Sequence, residues 1–434
     1  MRNRKPRSRV QLSLVTVLVS VALLVFLFPI IPHPGPMVNT TDFSLFRAAA
    51  WDLLHGLNPY HLSDLRSGLL ASGIHVAHPS PYAAYVMPLI VAVLLLWSPF
   101  ASLGAGVAIV VGTAIVFIAG VTYAISRWLG VSHPWFAAAL VTISPVATSG
   151  YVAGQVDAFV LLLLTGGIFF IYYRRFTEAG LILGLASCIK PEVAWVIVPF
   201  AIVLAWHERR AVKRTLTGVA IAGSVSLFLP MLWLPAWPLD WIHRLRSFGA
   251  SVATVQPDSG LSGIFRLFPH SWGMAPSFAN PFVWLFMIGG LASMAVWAKH
   301  LLAIEPVTRE RVCLGLGVPL AIWALCSPYV HVEDTILLLP LLIVLMRPDW
   351  LGGKTLGWAL CLALIILPES PTLFGDIGLN VSGNWQVASL GVLWLLVLAL
   401  IEMSDHMALS TIYVAFDPDR LQVFKAPWLS RWVR

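Results

Sequence analysis

Charge is scarce in this chain. Only 11% of its 434 residues are Asp, Glu, Lys or Arg, against roughly 25% in soluble domains. An ordinary water-soluble globule is therefore excluded. Cysteine is rare too. The four present, Cys188, Cys313, Cys326 and Cys361, all sit inside apolar runs, where they read as small core residues rather than a disulfide framework. The chain holds no G-x-G-x-x-G, no P-loop, no C-x-x-C pair and no H-E-x-x-H. The usual marks of a nucleotide fold or a zinc site are thus missing. No internal repeat is visible, which counts against the inverted-repeat transporters. A net charge of +7 would imply nucleic acid only if the basic residues formed a patch on a soluble domain. They stand instead at the ends of apolar runs, as membrane topology demands, so nucleic acid is not an expected partner.

Apolar sequence is plentiful: 59% of the residues are hydrophobic. The basic cluster MRNRKPRSR is followed by an uncharged run over residues 10–31. At 1.5 Å per residue that run spans a hydrocarbon core of about 30 Å, and no small-residue cleavage site marks it as a signal peptide. It reads as an uncleaved first helix with its N-terminus in the cytoplasm. Further apolar segments lie near 83–100, 103–126, 135–153, 156–173, 178–190, 192–206, 215–235, 281–298, 312–330, 335–347, 355–368 and 386–402. The basic pieces RRF (174–176), HERRAVKR (207–214), KH (299–300), TRERV (308–312) and RPDWLGGK (347–354) belong inside by their charge. Segments 32–81 and 236–280 and the stretches around 331 and 368–384 then face the other side. If every segment crossed, HERRAVKR would fall outside. One segment between 83 and 206 must therefore be re-entrant or half-depth. The expectation is an all-α polytopic protein of the plasma (inner) membrane with about 12 crossings, both termini inside and external interfacial helices. It comprises one membrane domain over 1–402 and a polar cytoplasmic tail over 403–434.

Four polar stretches interrupt this pattern. In TTDFSLFRAAAWDLLHGLNPY (40–60), Phe43, Phe46, Ala50, Leu53 and Leu57 follow helical spacing, so the stretch can lie flat on the interface. Asp42 at its start is either a cap or a carboxylate at the rim of a surface cavity, available as a base. Asp52 and His55 read as solvated or structural. In SGYVAGQVDAF (149–159), Gly150 and Gly154 loosen a helix end ahead of Gln155 and Asp157, and an acid at that depth commonly faces a cavity. In AGLILGLASCIKPEVAWVIVP, Lys190-Pro191-Glu192 is either a turn with a local ion pair or a place where Lys190 holds an anionic headgroup. In CSPYVHVEDTILLLP, Pro328 precedes His331, Glu333 and Asp334. Sugar or phosphate contact by His331 and Asp334 fits better than a metal, which needs converging ligands. The segment 236–280 adds Trp237, Asp240, Trp241, His243, Arg244 and Arg246. These form either an aromatic belt or a surface that stacks on sugar and binds phosphate through its arginines.

Taken together and in order, an Asp after the first span with HGLNPY, then GQVD, then AG…LGLA…KPE…VP, then SPYVHVED…LLLP resemble the polyprenol-phosphate-dependent glycosyltransferases of the GT-C class, family 87 in particular. The resemblance covers roughly residues 10–345. It departs at HPSPY (78–82), where the family often has Tyr-Pro-Pro. It implies transfer of a sugar, mannose foremost, from a polyprenyl-phosphate donor to a lipid-linked or surface glycan on the non-cytoplasmic face. It also implies Asp42 as base, Lys190 as a phosphate contact and His331 as a further contact. No cofactor or divalent metal is implied, since the donor lipid carries its own leaving group. Gln155, Asp157, Asp334, Arg244 and Arg246 join Lys190 and His331 as expected substrate contacts. A secondary transporter and a lipid-linked glycan ligase or polymerase are the rival readings.

Overall fold

A computed structural model describes residues 42–74, 85, 87–197, 209–252, 285, 288–294, 308–326 and 333–347. Every regular element among them is helical. His331, the tail 403–434, the first apolar run and the segments near 355–368 and 386–402 lie outside the described residues.

The chain enters through α1 (Asp42–Leu54), which ends at Gly56 in the left-handed region, φ +71°. The sequence pattern predicts a helix lying flat with one apolar face. Its burial extends beyond one face: nine of its 13 residues are buried, among them Arg47 and Asp52. α2 (Leu62–Ala71) covers one side. The other is covered by residues 87–100, which hold the six-residue α3 (Leu89–Leu94) and a 3₁₀ turn (Ser98–Phe100). At 1.5 Å per residue α3 is about 9 Å long, far short of a crossing. Both ends of this segment return to α1 and its hairpin. The Tyr60 hydroxyl donates to the Met87 carbonyl at 3.0 Å, and Arg47 Nη1 donates to the Ser98 carbonyl at 2.6 Å.

α4 (Leu103–Leu129) starts at a Ser102 cap and runs about 40 Å. α5 (Pro134–Thr142) and α6 (Pro145–Ala153) form one broken rod, interrupted where Pro145 lacks a backbone N–H and Ser144 caps the new start. Trp135 stacks on Tyr123 at one end of that rod, while Gly154 meets Phe43 at the other. α7 (Asp157–Tyr172) runs back, and α8 (Phe176–Ile189) returns again. α8 and α9 (Arg209–Phe228) pack in parallel at very close range: a Cβ on Gly180 would lie 2.0 Å from the Thr215 carbonyl oxygen. α10 (Trp237–Val252) follows, then α11 (Arg309–Cys326), a 3₁₀ stretch (Glu333–Leu338) and α12 (Leu339–Leu345).

The two ends of this bundle differ chemically. At one end Arg309 donates to the Trp128 carbonyl at 2.8 Å and lies over the Trp128 and Tyr172 rings. Arg347 pairs with Glu310 there, and Arg175 lies over Phe170. At the other end stand Asp42, Gln155, Asp157, Lys190 and Asp334. There, too, the Asn58 amide donates to Asp240 Oδ2 at 2.9 Å, joining the α1–α2 hairpin to α10. Two helical stretches, Leu103–Leu129 and Arg210–Leu232, are long and apolar enough to cross a membrane. Large apolar side chains point outward along them, including Ile109, Val116, Ile221 and Val225.

Candidate active site

The site is assembled by one glycine. Gly154 closes α6 with φ +67°, a conformation that costs an ordinary residue about 1–2 kcal/mol. A Cβ there would lie 2.7 Å from Phe43 Cβ, so the bare Cα also lets α6 touch α1. The next residue, Gln155, therefore arrives beside the residue before Phe43. The Gln155 amide donates to Asp42 Oδ2. A carboxylate at the first turn of a helix is favoured by the backbone N–H groups there, and the amide fixes its orientation.

Two residues further, Asp157 opens α7. Its Oδ1 accepts from Lys190 Nζ at 2.5 Å, and the same ammonium donates to Asp334 Oδ1. All three side chains are buried. They come from the start of α7, the end of α8 and the 3₁₀ stretch before α12. The sequence reading offers Lys190 either an ion pair with neighbouring Glu192 or an open anion-binding role. The structure gives its ammonium to two carboxylates 33 and 144 residues away in sequence. With two carboxylates already on it, the ammonium has little capacity left for a further anion. Burying such a group is costly in desolvation, and removing one member leaves an uncompensated charge.

Of the residues expected to meet, Asp42, Gln155, Asp157, Lys190 and Asp334 form one connected set. Arg244 and Arg246 lie apart from it on α10. Arg244 is half-buried with an Nε that has no partner among the described residues, and burial holds its guanidinium below the usual value. Arg246 is exposed. Asp52, read as solvated or structural, is fully buried against Gly68, and neither carboxyl oxygen has a partner among the described residues. His55 is exposed and stacks on Trp51. Arg47 and Asn58 receive no role from sequence reasoning. Arg47 does fall on the same helical stripe as Phe43, Phe46 and Ala50, and a cation within an apolar stripe is the one signal that sets it apart. Among the described residues no three His, Cys, Asp or Glu side chains converge as a metal site would require.

These features define a half-buried, preorganised carboxylate beside a set of fixed charges at one end of a helical bundle. The family description "Glycosyltransferase family 87" matches residues 85–328, more than half of the chain, and the chain belongs to that family. The protein is a glycosyltransferase. The matched region runs from Tyr85 through α11 and includes Gln155, Asp157 and Lys190; Asp42 precedes it. No curated protein matches the chain.

Proposed function

We propose that this glycosyltransferase moves a sugar, mannose by family resemblance, from a polyprenyl-phosphate donor to a lipid-linked or surface glycan on the non-cytoplasmic side of a membrane, with Asp42 as general base. The observation that carries the reading is the hydrogen bond from Gln155 to Asp42. It links an acid of the first external segment to the one end of the bundle where polar residues distant in sequence converge. The basic, aromatic end with Arg175, Arg309 and Arg347 suits the cytoplasmic surface. With residues 87–100 taken as non-crossing, the remaining apolar segments give 12 crossings and put HERRAVKR and both termini inside.

The chemistry balances on these groups. The acceptor hydroxyl gives its proton to Asp42 as its oxygen bonds to the anomeric carbon. The bond from that carbon to the phosphate oxygen breaks, and the lipid phosphate leaves with the electron pair. One carboxylate and a direct displacement give inversion at the anomeric carbon. Base action supplies about 10²–10⁴-fold, and positioning supplies much of the remainder. We assign Lys190 to positioning rather than to phosphate: it locks Asp157 and Asp334, and through Asp157 the Gln155 that aims Asp42. His331 is assigned to the donor by resemblance.

The test uses purified full-length protein with polyprenyl-phosphate mannose and a short glycan acceptor. The wild type forms product with inverted configuration, and Asp42→Asn, still folded, loses at least about 10²-fold in kcat. Near-normal turnover by Asp42→Asn removes Asp42 from the mechanism. Movement of the donor across reconstituted vesicles without product overturns the transferase reading in favour of transport.

A further inference from the structure

Arg47 is a buried cation without a buried anion. It is 6% exposed, and its one hydrogen bond among the described residues runs from Nη1 to the Ser98 carbonyl. Its Nε has no partner among the described residues. No carboxylate pairs with it there. Burial alone lowers its affinity for the proton, with no acid beside it to offset the effect. Lys190, the other buried cation among the described residues, is the opposite case, held by two aspartates. A guanidinium offers five N–H donors in a planar fork suited to phosphate. Holding such a group in the interior with one carbonyl is costly unless an anion completes it.

The surroundings narrow the anion. Arg47 is on the same helix as Asp42, one turn beyond Phe43, whose ring and Arg47 Nη1 both crowd the Cβ-less face of Gly106. The Ser98 carbonyl that it grips belongs to the non-crossing segment. The opposite side of that segment exposes Leu94, Trp97 and Phe100, the last at 81%. A buried positive charge bordered by an outward apolar strip fits an amphiphile with an anionic head and a long hydrocarbon tail.

We propose that Arg47 receives the phosphate of a prenyl-phosphate ligand, with the outer side of residues 94–100 carrying the start of the prenyl chain. This rests on the polyprenyl-phosphate donor class above and moves the phosphate contact from Lys190 to α1. During transfer Arg47 would hold the negative charge that grows on the departing phosphate.

The probe is farnesyl phosphate, titrated into the full-length protein in detergent, with farnesol and dihexanoyl phosphatidylglycerol as comparison ligands. The wild type binds farnesyl phosphate at least tenfold more tightly than either. Arg47→Gln loses about 10- to 100-fold of that affinity, the worth of a charged hydrogen-bonded contact, while its weak farnesol binding is unchanged. Arg47→Lys, which keeps the charge and loses the fork, loses about 3- to 10-fold. Unchanged affinity in either variant overturns the proposal. Should Arg47→Gln fail to fold, Arg47→Lys decides, together with ³¹P spectra of the ligand on the wild type. The bound phosphate must then titrate below its free value of about 6, and an unshifted titration overturns the assignment. Equal binding of phosphatidylglycerol would make this a general lipid-headgroup site and overturn the prenyl assignment. If the wild type turns over polyprenyl-phosphate mannose yet Arg47→Gln binds farnesyl phosphate normally, only Arg47 is wrong. If the wild type prefers farnesyl phosphate no more than farnesol, the donor class itself is wrong.

Discussion

Gly68 faces Asp52 across the α1–α2 hairpin so closely that a Cβ on the glycine would lie 2.5 Å from Asp52 Oδ1 and 2.7 Å from the Ala48 carbonyl oxygen. The acid is sealed in by backbone, and its carboxyl is pushed up to about 8, first by burial and then by the nearby Asp64. A carboxyl whose folded pKa is raised takes up a proton on folding. Its contribution to stability therefore falls as pH rises from about 4 to about 8 and is flat outside that window. Asp52→Asn removes this slope and leaves the protein at least as stable as the wild type at pH 8. The check is a thermal melt at pH steps from 5 to 9 on both proteins. A wild-type melting temperature that rises with pH over that window while the variant's does not refutes the assignment.

Gly68→Ala presses on the same contact. The new methyl must displace either the carboxyl or the α1 backbone, and neither is the free end of a flexible chain. We expect a loss of about 1–3 kcal/mol, read as a lower unfolding midpoint, with Asp52→Asn/Gly68→Ala no better than Gly68→Ala because Ala48 still blocks the site.

Gln155 offers a test of orientation. Gln155→Leu keeps the size and removes the donor, so kcat falls by about tenfold or more while the donor KM stays near wild type. Gln155→Glu sets a like charge against Asp42 and raises the pH at which the base ionises. The acidic limb of its rate profile moves to higher pH. A profile identical to the wild type's would show that the two side chains do not communicate in solution.

Lys190 is expected to behave as a structural charge. Lys190→Met leaves Asp157 and Asp334 buried side by side and destabilises the fold by about 3–5 kcal/mol. Adding Asp157→Asn and Asp334→Asn recovers a large part of that loss. Whatever activity the triple variant keeps should show a lower kcat and an unaltered KM for the donor. A raised KM with normal kcat would instead return Lys190 to the phosphate.

Topology can be read chemically. In a background without native cysteines, His61→Cys and Ala101→Cys should react from the same side with a membrane-impermeant thiol reagent, and Arg174→Cys from the opposite side. Labelling of positions 61 and 101 from opposite sides would mean that residues 87–100 cross after all.

The sequence pattern makes some of this plain and hides the rest for physical reasons. α4 occupies 103–129 where apolar composition alone predicts 103–126, because a long uncharged run with a serine cap has few alternatives. Gly154 is visible as a helix end, since a left-handed residue favours glycine. The run near 83–100 is as apolar as a true span. The ties from Tyr60 to Met87 and from Arg47 to Ser98 hold it against α1 and its hairpin, and pairings at such separation leave no local trace. Lys190 reads as a turn residue for the same reason: its partners stand 33 and 144 positions away. Asp52 reads as solvated or structural, and nothing in its neighbours decides between the two by announcing that Gly68 will close over it.

The Lys190 triad has one more effect. In an interior of low permittivity a fixed charge is felt over several ångströms with little attenuation. The Lys190 ammonium therefore ties the start of α7, the end of α8 and the 3₁₀ stretch before α12 into one electrostatic unit. Any motion that opens one of these three elements must carry the other two with it or pull buried charges apart.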